Sequence, residues 1–357
     1  MWRLHRYYLK ELTIHVAITF LVLFAVVLVS LVYRGIQRAQ GGELLDAALI
    51  TLLFALDALP HLLTISFLIA TVMTFTRAAQ DRELTAIRAA GIPPRAPLLA
   101  ALLVGLLLAG VGSVAMHYVV PEVHFRKYRV IADVARNLII NLGLGSDRIR
   151  LPKSSVVVTY KERQGPDLLG CVVYGLKLGH LVSSPIVFVD RLSIPIPSAE
   201  DTRADTVLAV QLRGIQDPLG GGQKHDLEIE VPLGDLAGRE RRDERDDDLR
   251  SDQLLGEVLR GVHPRPFEAV YTLFRRCCFA LMPVVLAPIG FCLAEFARDR
   301  GRVAALVLAL VPLALFYLGE VLGARLLLST QSPWCGWLPM ALLALFGVPL
   351  CWRQLRR

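Results

Sequence analysis

The amino-acid sequence predicts a polytopic α-helical membrane protein: six transmembrane helices, three and three, with a β-jellyroll-like domain inserted between the third and the fourth. Three observations carry this expectation. Hydrophobic residues make up 54% of the 357 residues and charged residues only 20%, giving a mean hydropathy of +0.50 that is too apolar for a water-soluble protein. Apolar runs recur near the roughly 20 residues that a helix needs to cross a hydrocarbon core of about 30 Å. A long polar stretch containing short Val- and Ile-rich segments divides those runs into two groups.

The first run, Leu12 to Tyr33, contains no Asp, Glu, Lys or Arg. It is longer than the apolar core of a signal peptide and no small-residue cleavage site follows it, so a retained span is expected. The second, Ala58 to Thr76, is equally free of charge but carries His61 and a kinking Pro60. Between it and the third run, Pro97 to Val120, lies "QDRELTAIRAAGIPPRAP". This stretch predicts a short helix near residues 78–91, because Gly91 suits the position just past a helix end and Pro93 and Pro94 cannot continue one. After the polar middle come Cys277 to Ala294, Val303 to Ala324 with Glu320 inside it, and Trp334 to Trp352.

The middle predicts β structure. Val156 to Tyr160, Cys171 to Leu176, Ile186 to Ile194, Val207 to Ile215 and Leu227 to Leu233 are rich in Val, Ile and Tyr, and Gly, Pro or Asp clusters separate most of them. Short strands at this spacing predict a small sandwich or jelly roll. In "HDLEIEVPL", Leu227, Ile229 and Val231 share one face while Asp226, Glu228 and Glu230 share the other. The run "GRERRDERDDDLRSD", residues 238–252, mixes charges so densely that a solvated connector is expected.

Lys and Arg in the short loops set the orientation, since cytoplasmic segments hold the excess. Arg3, Arg6 and Lys10 precede the first run; Arg77, Arg82, Arg88 and Arg95 lie in or beside the short helix; Arg298, Arg300 and Arg302 join the fourth run to the fifth; Arg353, Arg356 and Arg357 follow the sixth. The opposite short loops hold only Arg34, Arg38 and Arg325. Both termini and the short helix are therefore expected in the cytoplasm and the insert outside it. The net charge of +7 follows from this topology and gives no reason to expect a nucleic-acid partner. The expected domains are residues 1–121 with three spans, 122–268 with the β-rich insert, and 269–357 with three more spans.

No motif for catalysis emerges. The chain has no G-x-x-x-x-G-K-[ST], H-E-x-x-H or G-x-S-x-G. The glycines of "LGGGQ" precede no helical pattern, and the eight histidines lack metal-ligand spacing. Of the six cysteines, Cys171 lies in the polar middle and Cys335 at the very start of the last run, and the two form no C-x-x-C. A non-catalytic subunit without a metal is expected.

Three stretches carry a resemblance: "ELTAIRAAGI" after the second run, "VVPEVHFRKYRVIADVARN" after the third, and "RRCCFALMPVVLAPIGFCLAEFARDRGR" through the fourth. Together with the order of spans and insert, they resemble the LptF/LptG family of lipopolysaccharide-export permeases over nearly the whole chain. The resemblance implies a permease subunit of an ABC transporter in the bacterial inner membrane that binds no cofactor itself and leaves ATP to a partner subunit. The implied partners are a dimeric cytoplasmic ATPase, a second LptF/LptG-type permease, a single-span periplasmic clamp protein, a periplasmic bridge of similar β fold, and lipopolysaccharide. It further implies that the short helix is the coupling helix, with Glu83 matching the family's acidic residue and Arg82, Leu84, Ile87 and Arg88 around it. Small Ala86, Ala89 and Ala90 permit close approach, Leu84 and Ile87 form an apolar ridge, and Glu83 offers a carboxylate to a basic partner residue.

A second group lies at the opposite rim. Counted at about 1.5 Å per residue, Arg34, Asp57, Glu320 and Arg325 reach one level near the outer membrane surface, with Asp57 and Glu320 available for charge pairing. Charges at such depth face a bundle interior or a wet cavity, or pair with each other. In the family, the first and fifth spans form lateral gates where basic residues meet lipid A phosphates, which makes Arg34, Arg38 and Arg325 lipid-binding candidates. Two other functions stay open: an ABC permease of the lipoprotein or mechanotransmission type, although those place the outside domain after the first span, and a non-transport scaffold for envelope assembly.

Overall fold

The computed structural model describes residues 2–39, 44–93, 95–140, 148–150, 157–164, 167–174, 186–193, 207–216, 225–232 and 246–355. Helices α1 (Trp2–Arg38) and α2 (Leu44–Gln80) are followed by the short α3 (Glu83–Ala89). Helix α4 (Arg95–Val114) passes through a π-helical turn, Ala115–Val119, directly into α5 (Val120–Ile140). Seven strands come next, and then α6 (Ser251–Leu259), α7 (Pro266–Phe296), α8 (Gly301–Thr330) and α9 (Leu338–Leu355). Six of these helical stretches are long and apolar enough to cross a membrane: α1, α2, α4 with α5, α7, α8 and α9.

The expected boundary at residue 121 falls inside a helix. Beyond it, Val123, Ile131 and Val134 are buried while Arg126 and Arg129 are exposed, a 3.6-residue periodicity. Such a face, interrupted by charges, forms no continuous apolar run. The helix of the fourth apolar run likewise starts well before Cys277, at Pro266, and takes in Arg275 and Arg276.

The chain divides into two compact units, one of Met1–Leu31, Ala55–His124 and Arg245–Arg357 and the other of Val32–Phe54 and Phe125–Glu244. In the first, α7 is the central element: 72% of its most apolar stretch is buried, against 11% for α1. Phe291 on α7 meets Phe75 on α2 edge-on at 4.9 Å, and Phe279 meets Phe316 on α8 in the same way at 4.9 Å. Buried hydroxyls on α2 are satisfied by their own helix: Thr64 donates to the Pro60 carbonyl at 3.0 Å, Ser66 to that of Leu62 at 2.6 Å and Thr71 to that of Phe67 at 2.7 Å. Such bonds spare an apolar segment the cost of unpaired polar groups.

In the second unit, strands β1 (Arg148–Arg150), β2 (Val157–Thr159), β3 (Glu162–Gln164), β4 (Asp167–Tyr174), β5 (Ile186–Ser193), β6 (Val207–Gln216) and β7 (His225–Pro232) form one antiparallel sheet. Its order is β1-β2-β4-β5-β6-β7, with β3 also on β4. All five segments expected to be strands are strands. A jelly roll brings strands distant in the chain side by side, whereas the described strands mostly follow chain order. Val173, Val187, Val189, Leu192, Leu212 and Ile215 form the buried core of this sheet. The side chains of Leu227, Ile229 and Val231, and the glycines of "LGGGQ", lie outside the described residues.

A bulge between Leu212 and Ile215 bends β6. Gly214 occupies it with φ +67°, its N–H donating to Asp226 Oδ1 at 2.8 Å, and a Cβ there would come within 2.4 Å of the Asp190 carboxylate. Gly214→Val is expected to cost about 1 to 3 kcal/mol from the backbone alone. Hydrogen exchange on the intact chain should show lost protection in β6 and β7; unchanged protection would remove the bulge's requirement for glycine.

Candidate functional site

At one end of the first unit, α3 is held by its inner face. Asp81 and Arg82 turn the chain out of α2, and Arg82 takes a left-handed conformation at φ 59°, a strain of about 1 to 3 kcal/mol for a non-glycine residue. Leu84 is buried in a core with Tyr8, Phe75, Ala79 and Leu98, and Ile87 packs against that core. The Tyr8 hydroxyl donates to Glu83 Oε2 at 3.1 Å, and Arg77 lies 3.7 Å from Glu83 Oε1. The same guanidinium reaches Glu11 at 2.6 Å and the Tyr7 hydroxyl at 3.0 Å. From the far side of α3, Arg88 pairs with Glu295 at the end of α7.

These contacts reverse part of the expected geometry. Leu84 and Ile87 face into the bundle, and the Glu83 carboxylate has two partners within the chain. The outward face is Arg82, Thr85, Ala86 and Ala89, all exposed. It is a small-residue surface with one cation at its start.

At the other end, the last part of the charged run is not a solvated connector. Arg276, 3% exposed, donates through Nη1 to the Leu249 carbonyl and Ser251 Oγ, each at 2.9 Å, and through Nη2 to the carbonyls of Asp246 at 2.9 Å and Asp247 at 3.1 Å. Arg275 pairs with Asp247 at 2.8 Å. Three histidines complete the clasp: His124 meets Asp248 at 2.6 Å, His263 meets Asp246 at 3.1 Å and His117 meets Ser251 Oγ at 2.7 Å. Burial pushes the Asp246 carboxyl above its ordinary value, and His263 holds it back. The guanidinium fork is what lets one side chain satisfy four acceptors. Residues 238–245 lie outside the described residues. The sequence holds one trace of it: two arginines open the fourth apolar run, downstream of a run of three aspartates.

The rim residues separate into distinct settings. Arg34 and Arg38, four apart on α1, are both exposed on one face. Beside them α1 and α2 touch closely, since a Cβ on Gly35 would lie 2.0 Å from Thr51 Oγ1. Glu320 is half-buried on α8 within electrostatic reach of Arg275 and Asp247, so the cation beside it is Arg275 on α7. Arg325 is exposed. Asp57 is half-buried on α2 within reach of His61, whose ring meets Phe279 edge-on at 4.7 Å.

Among the described residues, no group of three or more His, Cys, Asp or Glu side chains is placed to hold a metal ion. A cavity of about 130 Å³ opens between α2, the end of α4 and α7, walled by Leu59, Pro60, Leu63, Met116, Phe279 and Pro283 among others. The Thr64 hydroxyl in its wall is already bonded to Pro60, so this cavity suits hydrocarbon rather than a polar cofactor.

Six long apolar helices, with a β-rich insert and a short helix clamped between the second and third of them, mark a multi-pass membrane protein. Residues 6–141 match the family model described as lipopolysaccharide export system permease LptF/LptG, so this part of the chain is similar to that permease family. The match takes in the first three spans and α3, and stops before the strands. A comparison with curated proteins gave no match.

Proposed function

We propose that the chain is the permease subunit of an ABC transporter that extracts lipopolysaccharide, or a related large lipid, from the inner membrane and passes it to a periplasmic bridge. The observation that carries this reading is α3, which is anchored to α1 and α2 by its inner face and to α7 through Arg88, and leaves a face of small residues open. A separate ATPase dimer docks on that face, and nucleotide-driven motion passes into the spans through the Glu83 and Arg88 contacts. The β-rich insert receives the lipid. Tyr174, Ile186 and Phe188 support this, as apolar side chains exposed on one face of the sheet. Exposed apolar side chains along α1, such as Leu21, Val22, Val26 and Val29, suit lipid and a second permease.

Purifying the tagged chain from membranes tests the reading: an ATPase and a second permease should accompany it, and recovery of neither would favour the scaffold. Both termini are assigned to the cytoplasm and the insert to the periplasm of a bacterial inner membrane. Cysteine labelling should accordingly find position Thr85 cytoplasmic and position Gln223 periplasmic; labelling of both from one side overturns the topology. Arg34 and Arg325 are assigned to lipid phosphates, which guanidinium groups bind bidentately. Arg34→Glu and Arg325→Glu should each weaken lipid crosslinking and lipid-stimulated ATPase activity with assembly intact. Normal stimulation in both variants reduces them to interfacial anchors.

A further inference from the structure

We propose that the cavity between α2, α4 and α7 seats one phospholipid of the surrounding bilayer, with a stretch of one acyl chain inside it and the phosphate on Arg250. Three helix irregularities open the cavity at one level. Pro60 in α2 and Pro283 in α7 each remove a hydrogen bond from their helix, and the π-helical turn Ala115–Val119 widens the third side. The floor is closed, since a Cβ on Gly105 of α4 would lie 3.0 Å from the Pro283 carbonyl oxygen. The side is open: Val111 and Val119 line the cavity and are 50% and 44% exposed. Leu107 and Val114, nearby on the same helix, are exposed as well, so the mouth lies on an apolar outer surface of a span, where a bilayer presents hydrocarbon.

The volume selects the occupant. At about 130 Å³ the cavity is close to an engineered apolar cavity of about 150 Å³ in another protein, which stays dry and binds benzene. It takes part of one hydrocarbon chain and excludes several chains together.

The polar half of the seat lies one turn outward. Phe279 in the cavity wall follows Arg276 by three residues on α7, and Arg276 holds the segment 246–251 against that helix. Two residues of the π-helical turn meet the same segment: His117 bonds Ser251 Oγ at 2.7 Å, and the Arg250 guanidinium lies over the Tyr118 ring at 5.2 Å. Arg250 is thereby placed beside Val119 at the mouth. Its Nε makes no hydrogen bond to the described residues, and the group pairs with exposed Asp252 at 3.3 Å. An exposed pair of this kind is weak and yields to a phosphate, which a guanidinium binds bidentately.

The test places the full-length chain in nanodiscs with a trace of phosphatidylglycerol that carries a diazirine part-way along one acyl chain. After illumination, peptides covering residues 108–120 and 279–283 should carry the label, and diacylglycerol with the same chain should label them about tenfold less, the scale of one charge-assisted contact. Leu63→Trp fills the cavity and Val111→Trp plugs its mouth from the exposed side. Both should lose this labelling while labelling of residues 21–29 on α1 persists, and Arg250→Gln should bring phosphatidylglycerol down to the level of diacylglycerol. Undiminished labelling in both tryptophan variants overturns the seat, and equal labelling by the two probes overturns the phosphate contact. Displacement of the probe by excess lipopolysaccharide but not by unlabelled phosphatidylglycerol overturns the phospholipid as occupant in favour of the transported lipid. Loss of the label when a second permease joins the chain shows the mouth to be a protein contact and overturns it too. The labelling map needs no ATPase, so failure of the transport reading leaves the seat to be judged on the map.

Discussion

Arg276→Leu is expected to destabilise the chain by about 3 to 5 kcal/mol, the cost of breaking a buried ionic network by removing one member. Leucine fills much of the space of the side-chain stem and donates nothing. The carbonyls of Asp246, Asp247 and Leu249 and the Ser251 hydroxyl then lose a donor together, and each buried acceptor left unpaired costs about 1 to 3 kcal/mol. The segment has one escape, which is to peel away from α7 into water. The loss should therefore show as local opening: faster tryptic cleavage after Arg250 and faster hydrogen exchange in α6, with a lower unfolding temperature in detergent. Arg276→Lys should recover only part of the stability, because an ammonium group cannot span four acceptors as a planar fork does. Wild-type unfolding temperature and cleavage in the leucine variant would show that the clasp is not what holds this segment.

That clasp also marks where the sequence is legible and where it is not. Spans and strands follow from composition and period, which are local properties. The five expected strands are present, and so are the six long apolar helices. The continuation of the third span into α5 has the right period but too many charges to register as an apolar run. The clasp is harder still, because His117, His124, Arg275 and Arg276 are remote in the chain from the residues they hold, and mixed charge ordinarily means solvation. At α3 the sequence gives the helix, its end at Gly91 and its composition. It leaves open which face turns inward, since Leu84 and Ile87 suit a partner's groove as well as a core. Packing against Tyr8 and Phe75, on α1 and α2, decides that.

The inward face sets the last expectation, which separates docking from anchoring. If the exposed side of α3 enters a groove on an ATPase, Ala86→Trp adds a large side chain where close approach is needed. Recovery of ATPase with tagged permease should then fall at least tenfold, or about 1.4 kcal/mol. Glu83 acts differently. Its carboxylate accepts from Tyr8, which is 1% exposed, and faces Arg77. Glu83→Ala leaves the buried hydroxyl without its acceptor and Arg77 with one carboxylate fewer, so the first loss is in the placing of α3. Tyr8→Phe distinguishes the two mechanisms because it removes the internal bond and leaves the Glu83 charge available. If Glu83 works by anchoring, Tyr8→Phe reproduces part of the Glu83→Ala loss in ATPase recovery and coupled transport. If Glu83 itself grips a basic partner residue, Tyr8→Phe is silent while Glu83→Ala stays severe, since a desolvated cation is then stranded at the interface. Glu83→Lys should be the worst of the set on either mechanism, adding repulsion against Arg77 within the chain. Permease abundance in the membrane must be equal across the series. Full ATPase recovery with both Ala86→Trp and Glu83→Lys would remove α3 from the docking surface.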